Sequence, residues 1–272
     1  MQKGARKGFS SGNAPVDRAP RVPLRVWRGL ARGAVLAFSL WLTGAAATAA
    51  QEIVAARYEA PTDRYPHGVL GDDIEYAGLA VTLSDGQVLR MRWDSELVFE
   101  DIAPRLADLD DDGAPEVITV ESHQANGARL SVWGLVDGAL TPIAAVPFIG
   151  TRFRWLAPAG AADLDGDGVM ELAYVDRPHL AKTLRIWRYE ASGRTVRLRE
   201  VATQPGLTNH RIGEAFITGG VRDCGAGPEI ITANANWTRI MASRLIGNRI
   251  ETRDIGAFSG GASVDAALAC QN

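Results

Sequence analysis

One nine-residue pattern occurs twice in this chain and limits what it can fold into. Asp108-Leu109-Asp110-Asp111-Asp112-Gly113-Ala114-Pro115-Glu116 and Asp163-Leu164-Asp165-Gly166-Asp167-Gly168-Val169-Met170-Glu171 both read Asp-x-Asp-x-Asp-Gly-x-x-Glu, 55 residues apart. Carboxylates at alternate positions of a tight loop converge, and Gly lets the chain turn back. The backbone carbonyl at position seven (Ala114, Val169) adds an oxygen and the Glu closes the shell. Such an all-oxygen cage suits Ca²⁺, which takes roughly six to eight oxygen ligands. An EF-hand shares the opening but places its closing Glu at position twelve, ahead of a helix. Here each Glu heads a β-rich run, Glu116 to Val120 and Glu171 to Val175. A single copy would also suit a solvated acidic turn; two copies, each followed by such a run, favour two Ca²⁺ sites.

The N-terminal segment sets the expected compartment. Eight Lys or Arg and one Asp lie in residues 1–32, followed by the apolar run 34–42 and the small-residue stretch Ala47-Thr48-Ala49. That order is the one of a Sec-type signal peptide, residues 1–49, with cleavage expected after Ala49. The apolar run is too short for the roughly twenty residues of a membrane span, so no transmembrane anchor is expected in the mature form. Without residues 1–49 the net charge moves from −3 to about −10, which argues against a nucleic-acid partner. The expected location is periplasmic or secreted. Cys224 and Cys270 are the only cysteines, and an even pair in an exported chain is read as a disulfide.

The cage belongs to a larger repeat. After each one come an apolar strand, a loop, a second strand, a tight turn and a third strand. The turns are Asp137-Gly138 and Ser192-Gly193, good hairpin signals. The same layout recurs from Pro228 to Ile255, where Val221 to Gly225 retains one carboxylate and no metal is expected. A further copy begins at Gln51 and lacks the strand before the cage. Residues 260–269 are read as that missing strand, so that the C-terminus pairs with the N-terminal unit and closes a ring. The expected fold is all-β: residues 50–272 as a single small β-propeller of about four blades. Small residues before the cages (Ala159 to Ala162, Gly219-Gly220) suit inner strands crowded near an axis. Trp133 and Trp187 are expected in the core. An open solenoid or a sandwich would share the same period.

The cages and the repeat resemble the FG-GAP or VCBS family, the Ca²⁺-binding repeats of integrin α-subunit propellers and of many bacterial exported proteins. The resemblance is specific at Asp108 to Glu116 and Asp163 to Glu171. It implies a propeller whose Ca²⁺ loops join the first and second strands of a blade, with adhesive or ligand-binding roles. The chain departs from it in having about four blades where integrin-type propellers have seven, no Phe-Gly pair, and a degenerate third loop.

All four histidines fall in loops expected on the face opposite the cages: His67, His123, His179 and His210. Arg154, Trp155, Arg211 and Trp237 join them as candidate ligand-binding residues, since loops on a rigid scaffold carry function. Polar loop residues also arise simply because loops are wet. Three functions fit: a non-catalytic module binding a protein or glycan, an enzyme (hydrolase or lyase) using the histidine face, or a structural subunit of an envelope complex. No nucleophile elbow, His-Glu-x-x-His or phosphate loop is present, and binding is the favoured function.

Overall fold

The computed structural model describes residues 51–271, so the segment read as a signal peptide lies outside the described residues. Strands β1 (Ile53–Thr62), β2 (Glu75–Leu83) and β3 (Val88–Arg92) form an N-terminal antiparallel unit. The short β4 (Leu97–Phe99) follows, then β5 (Arg105–Ala107), β6 (Glu116–His123), β7 (Gly127–Val136) and β8 (Ala139–Ala145). A second sheet holds β9 (Leu156–Ala162), β10 (Glu171–Asp176), β11 (Thr183–Ser192) and β12 (Thr195–Pro205). The third contains β13 (Leu207–Thr208), β14 (Gly220–Asp223), β15 (Pro228–Asn234), β16 (Arg239–Ile246) and β17 (Arg249–Ala257). The chain ends in a short helix, α1 (Gly261–Leu268).

Three units therefore repeat one plan, β5 to β8, β9 to β12 and β14 to β17. In each, the acidic loop or its remnant joins the first two strands, and the remaining strands follow antiparallel. Burial explains the sequence pattern. β10 is buried at every position and carries an unbroken apolar run, Leu172 to Val175. Outer strand β12 alternates instead, with Val196 and Leu198 half-buried and Arg197 and Arg199 exposed, the period of a strand wetted on one face.

The sheets stack through apolar seams. Leu109, Ile118, Leu130, Trp155, Leu172 and Tyr174 pack between the first and second sheets. Val175, Leu184, Ile186, Ile230 and Leu245 pack between the second and third. Trp133 is fully buried as expected, beside Leu79, Phe99 and Val117. Trp187 is half-buried and donates to the Tyr174 hydroxyl at 3.1 Å. The inner strands crowd as their small residues suggested: a Cβ on Gly160 would lie 2.8 Å from Val221 Cγ2, and its φ of +137° is one that residues with a side chain rarely adopt. The architecture is all-β and propeller-like.

Two expectations are corrected. Residues 260–269 do not supply a strand to the N-terminal unit, because Gly261–Leu268 is helical and packs on the third sheet. The segment is rich in alanine, the strongest helix former. Val264, Ala267 and Leu268 fall on one helical face and meet Ile231, Ile240 and Ala242. The N-terminal unit is instead joined to its neighbour by β4, which pairs with both β2 and β6 and merges the two into an eight-stranded sheet. The strand before the third loop runs Gly220–Asp223, so of the pair Gly219-Gly220 expected in that inner strand only Gly220 lies in it. On the side of the histidines, the long insertion after β1 meets the connection leading to β14, where the Gly213 N–H donates to the Val69 carbonyl at 2.9 Å.

Candidate metal loops and the histidine face

The first acidic loop turns back through Asp111 and Gly113, both at positive φ. One oxygen each of Asp108, Asp110 and Glu116 lie within 4.8 Å of one another. Backbone amides shape the turn: Gly113 N–H donates to Asp108 Oδ2 at 2.9 Å, Ala114 N–H to Asp112 Oδ1 at 2.8 Å, and Leu109 N–H to Glu116 Oε2 at 2.9 Å. Asp108 Oδ1 is buried without a hydrogen-bond partner, and among the described residues no Arg, Lys or His forms an ion pair with any acid of this loop. Burial, helped by the charges of Asp110 and Asp112 and opposed by the Leu109 amide, pushes Glu116 up to about 7. Burial and the charges of Asp112 and Asp108 also raise Asp110. Converging, uncompensated carboxylates with an orphaned oxygen fit a hard cation.

The second loop has the same backbone and a different charge state. Asp163, Asp165 and Glu171 again converge within 4.8 Å. Asp163 accepts from the amides of Gly166, Asp167 and Gly168, at 2.8, 3.0 and 2.9 Å, and Glu171 Oε2 accepts from Leu164 N–H at 2.8 Å. Arg188, from β11, reaches into the loop: Nε meets Glu171 Oε1 at 2.6 Å, Nη2 meets Asp165 Oδ2 at 2.5 Å and Nη1 meets Asp167 Oδ2 at 2.9 Å. Burial raises Glu171, against the Leu164 amide and Arg188. Asp165 Oδ1 alone is left as a buried, unpartnered oxygen.

The third loop, between β14 and β15, retains Asp223, which accepts from the amides of Gly225 and Gly227 at 2.8 and 3.1 Å. Glu229, aligned with Glu116 and Glu171, meets Arg222 at 3.1 Å, Arg244 at 2.8 Å and Arg253 at 2.7 Å. Burial opposes ionisation, yet the hydrogen bonds from Arg244, Arg253 and Arg222 hold its carboxyl below the usual range. Cys224 and Cys270 form a disulfide. It ties this loop to the end of α1, within the third sheet's own layer, and does not bridge to the N-terminal unit.

The histidine-side residues divide into groups. His179 Nε2 lies 2.9 Å from His210 Nδ1, and His210 Nε2 donates to the Glu214 carbonyl at 2.8 Å. Both nitrogens of His210 are thus engaged and its residue is fully buried. Trp155 meets His210 edge-on at 4.9 Å, is 2% exposed and donates to the Glu100 carbonyl, so its ring serves the core. Burial, then the nearby His210, His67 and Lys182, depresses His179 to about 4; burial also lowers His210. His67 pairs with buried Glu100 at 2.5 Å and stacks on Phe153. His123 stands apart, beside Phe148. Arg154 donates to the Phe153 carbonyl. Arg211, itself exposed, lies over half-buried Trp237 at 4.2 Å and near half-buried Phe258, forming a cation–π cluster.

Sequence patterns did not reveal Arg188 or Glu100. Arg188 acts through strand register, 17 residues from Glu171, where no local motif points. Glu100 belongs to no motif, yet it is 0% exposed and holds both His67 and the Ser122 hydroxyl. The long apolar and aromatic neighbourhood of Val98 and Phe99 was the available signal for its burial.

Antiparallel four-stranded units with carboxylate loops between their first two strands define a propeller-like β-repeat protein. A family model described as an FG-GAP-like repeat matches residues 108–174. That stretch runs from the first acidic loop through β6 to β9 and the second loop into β10, so the resemblance holds across both loops. The comparison with curated proteins gives no match.

Proposed function

We propose that this chain is an exported, Ca²⁺-braced binding module of the FG-GAP type, with no catalytic role, whose histidine-side loops dock a protein partner. One observation carries the reading: the family match begins at the first acidic loop and spans the second. The first loop converges carboxylates with no internal cation, so a bound ion would relieve their repulsion and lock the turn between β5 and β6. Filling the shell with protein oxygens leaves little open coordination, which suits bracing rather than chemistry. Extracellular Ca²⁺ modules bind at roughly 10⁻⁴ to 10⁻³ M, matching a periplasmic or secreted location.

The partner surface is supported by what the histidine loops expose. Leu180, next to His179, and Ile212 and Phe216, in the connection that follows His210, are 63%, 71% and 52% exposed. Arg211 and Trp237 add the residue types enriched at binding hot spots. A glycan would stack on the same Trp237. The test is affinity capture from envelope and culture fractions with wild-type protein and an Arg211→Ala/Trp237→Ala variant, alongside a glycan array. A folded double variant that captures the same partner as wild type would refute this surface, and failure to bind Ca²⁺ would refute the module's bracing.

A further inference from the structure

The three loops form a series in how they neutralise the same glutamate. Glu116 has no arginine, Glu171 has Arg188, and Glu229 has Arg222, Arg244 and Arg253. Register explains the difference. Glu171 pairs with Arg188 in the β10–β11 ladder. Continuing the Ile230–Ser243 pairing by one step places Arg244 opposite Glu229. Continuing Val117–Trp133 by one step places Gly134 opposite Glu116. One strand position is thus Gly, Arg and Arg in successive units.

At the second loop this position decides which oxygens remain. Arg188 engages one oxygen from each of three acids, backbone amides donate to both oxygens of Asp163, and the remaining buried orphan is Asp165 Oδ1. A Ca²⁺ ion there would have to displace a guanidinium held by three ion pairs, or share a shell with its positive charge. The residues of the second loop do not fit the ion that its motif advertises.

We infer that Arg188 is the resident cation of the second loop, so that the chain binds one Ca²⁺, in the Asp108 to Glu116 loop, and not two. This rests on the calcium reading of the first loop, and the experiment separates the two. Calcium stoichiometry is measured by equilibrium dialysis on the signal-free protein, with folding checked by circular dichroism. Wild type is expected to bind one ion, Asp110→Asn none, Arg188→Lys one, and Arg188→Gln two. Hydrogen exchange on wild type supplies a readout without substitution: chelation should loosen residues 108–116 and leave 163–171 unchanged.

Two ions on wild type, or chelator-sensitive exchange at 163–171, overturns the inference. A folded Arg188→Gln protein with no added ion also overturns it. No ion on wild type but one on Arg188→Gln defeats the calcium reading of the first loop while supporting Arg188 as the substitute. No ion on either defeats both.

Discussion

Arg188 and Glu171 face each other across β10 and β11, and their 2.6 Å contact places a fixed positive charge where the loop's acids converge. Two loops with one motif thereby carry different electrostatics. Removing one partner of a buried, hydrogen-bonded pair leaves the other charge uncompensated, so the second loop depends on Arg188 as the first would on an ion.

Transferring this device to the first loop should abolish ion binding there. Gly134→Arg places a guanidinium on the Glu116 side, with a new Cβ 3.2 Å from Ile143 Cδ1, a side-chain end that can shift. The expected result is a folded protein whose Ca²⁺ titration disappears and whose melting temperature no longer responds to chelator. Undiminished Ca²⁺ affinity would contradict the charge argument.

Chelation should destabilise the wild-type protein. At free Ca²⁺ about 100 times Kd, binding contributes ~2.7 kcal/mol, equivalent to roughly 5–10 °C in Tm for a domain of this size. Differential scanning calorimetry with Ca²⁺ and with EGTA measures it. Glu116→Gln, which removes the closing carboxylate, should erase most of the difference; an identical shift in that variant would count against the site.

The His179–His210 pair predicts a pH effect of definite sign. Folded His179 titrates near 4, whereas an unfolded histidine titrates near 6.5. As pH falls the unfolded chain takes the proton first, so this stabilisation is full above about 6.5 and is lost progressively toward 4. Buried acids such as Glu75, pushed up to about 10 by burial and neighbouring carboxylates, act in the opposite direction, so a difference curve is required. Tm of wild type minus Tm of His179→Gln should decrease between pH 6.5 and 4. A flat difference would remove the histidine from the account.

Cys224→Ser should loosen the C-terminal helix. The bridge closes a loop with a sequence separation of 46, and losing a native disulfide typically costs about 2–4 kcal/mol. Hydrogen exchange is expected to rise in Gly261–Leu268 and at the β14–β15 loop, with the second sheet unaffected. Uniform protection across wild type and variant would show that packing of Val264 and Ala267 alone holds the helix.

Much of the fold was legible because its signals are local. The alternation in β12, the apolar run in β10 and the turn at Asp137-Gly138 each depend on neighbours a few residues apart. Residues 260–269 misled for a physical reason. Alanine and glycine suit a crowded inner strand and alanine suits a helix, and the apolar face of Val264, Ala267 and Leu268 settled the segment as helix against the third sheet. Around the candidate site, the clustering of Asp108, Asp110 and Glu116, that of Asp163, Asp165 and Glu171, and the Cys224–Cys270 bridge were legible from type and spacing. The burial of Trp155 and His210 and the pairing of His67 with Glu100 required the packed chain.

Spacing along the chain was enough to determine two acidic loops, the strand that follows each, and the repeat they head, since a tight turn draws its ligands from consecutive residues. Which of the three glutamates receives an arginine was decided by the tertiary structure. Gly134, Arg188 and Arg244 lie 18, 17 and 15 residues beyond their glutamates, and only antiparallel register brings those positions against the carboxylates. A charge acts through distance in space, and the folded sheet sets that distance.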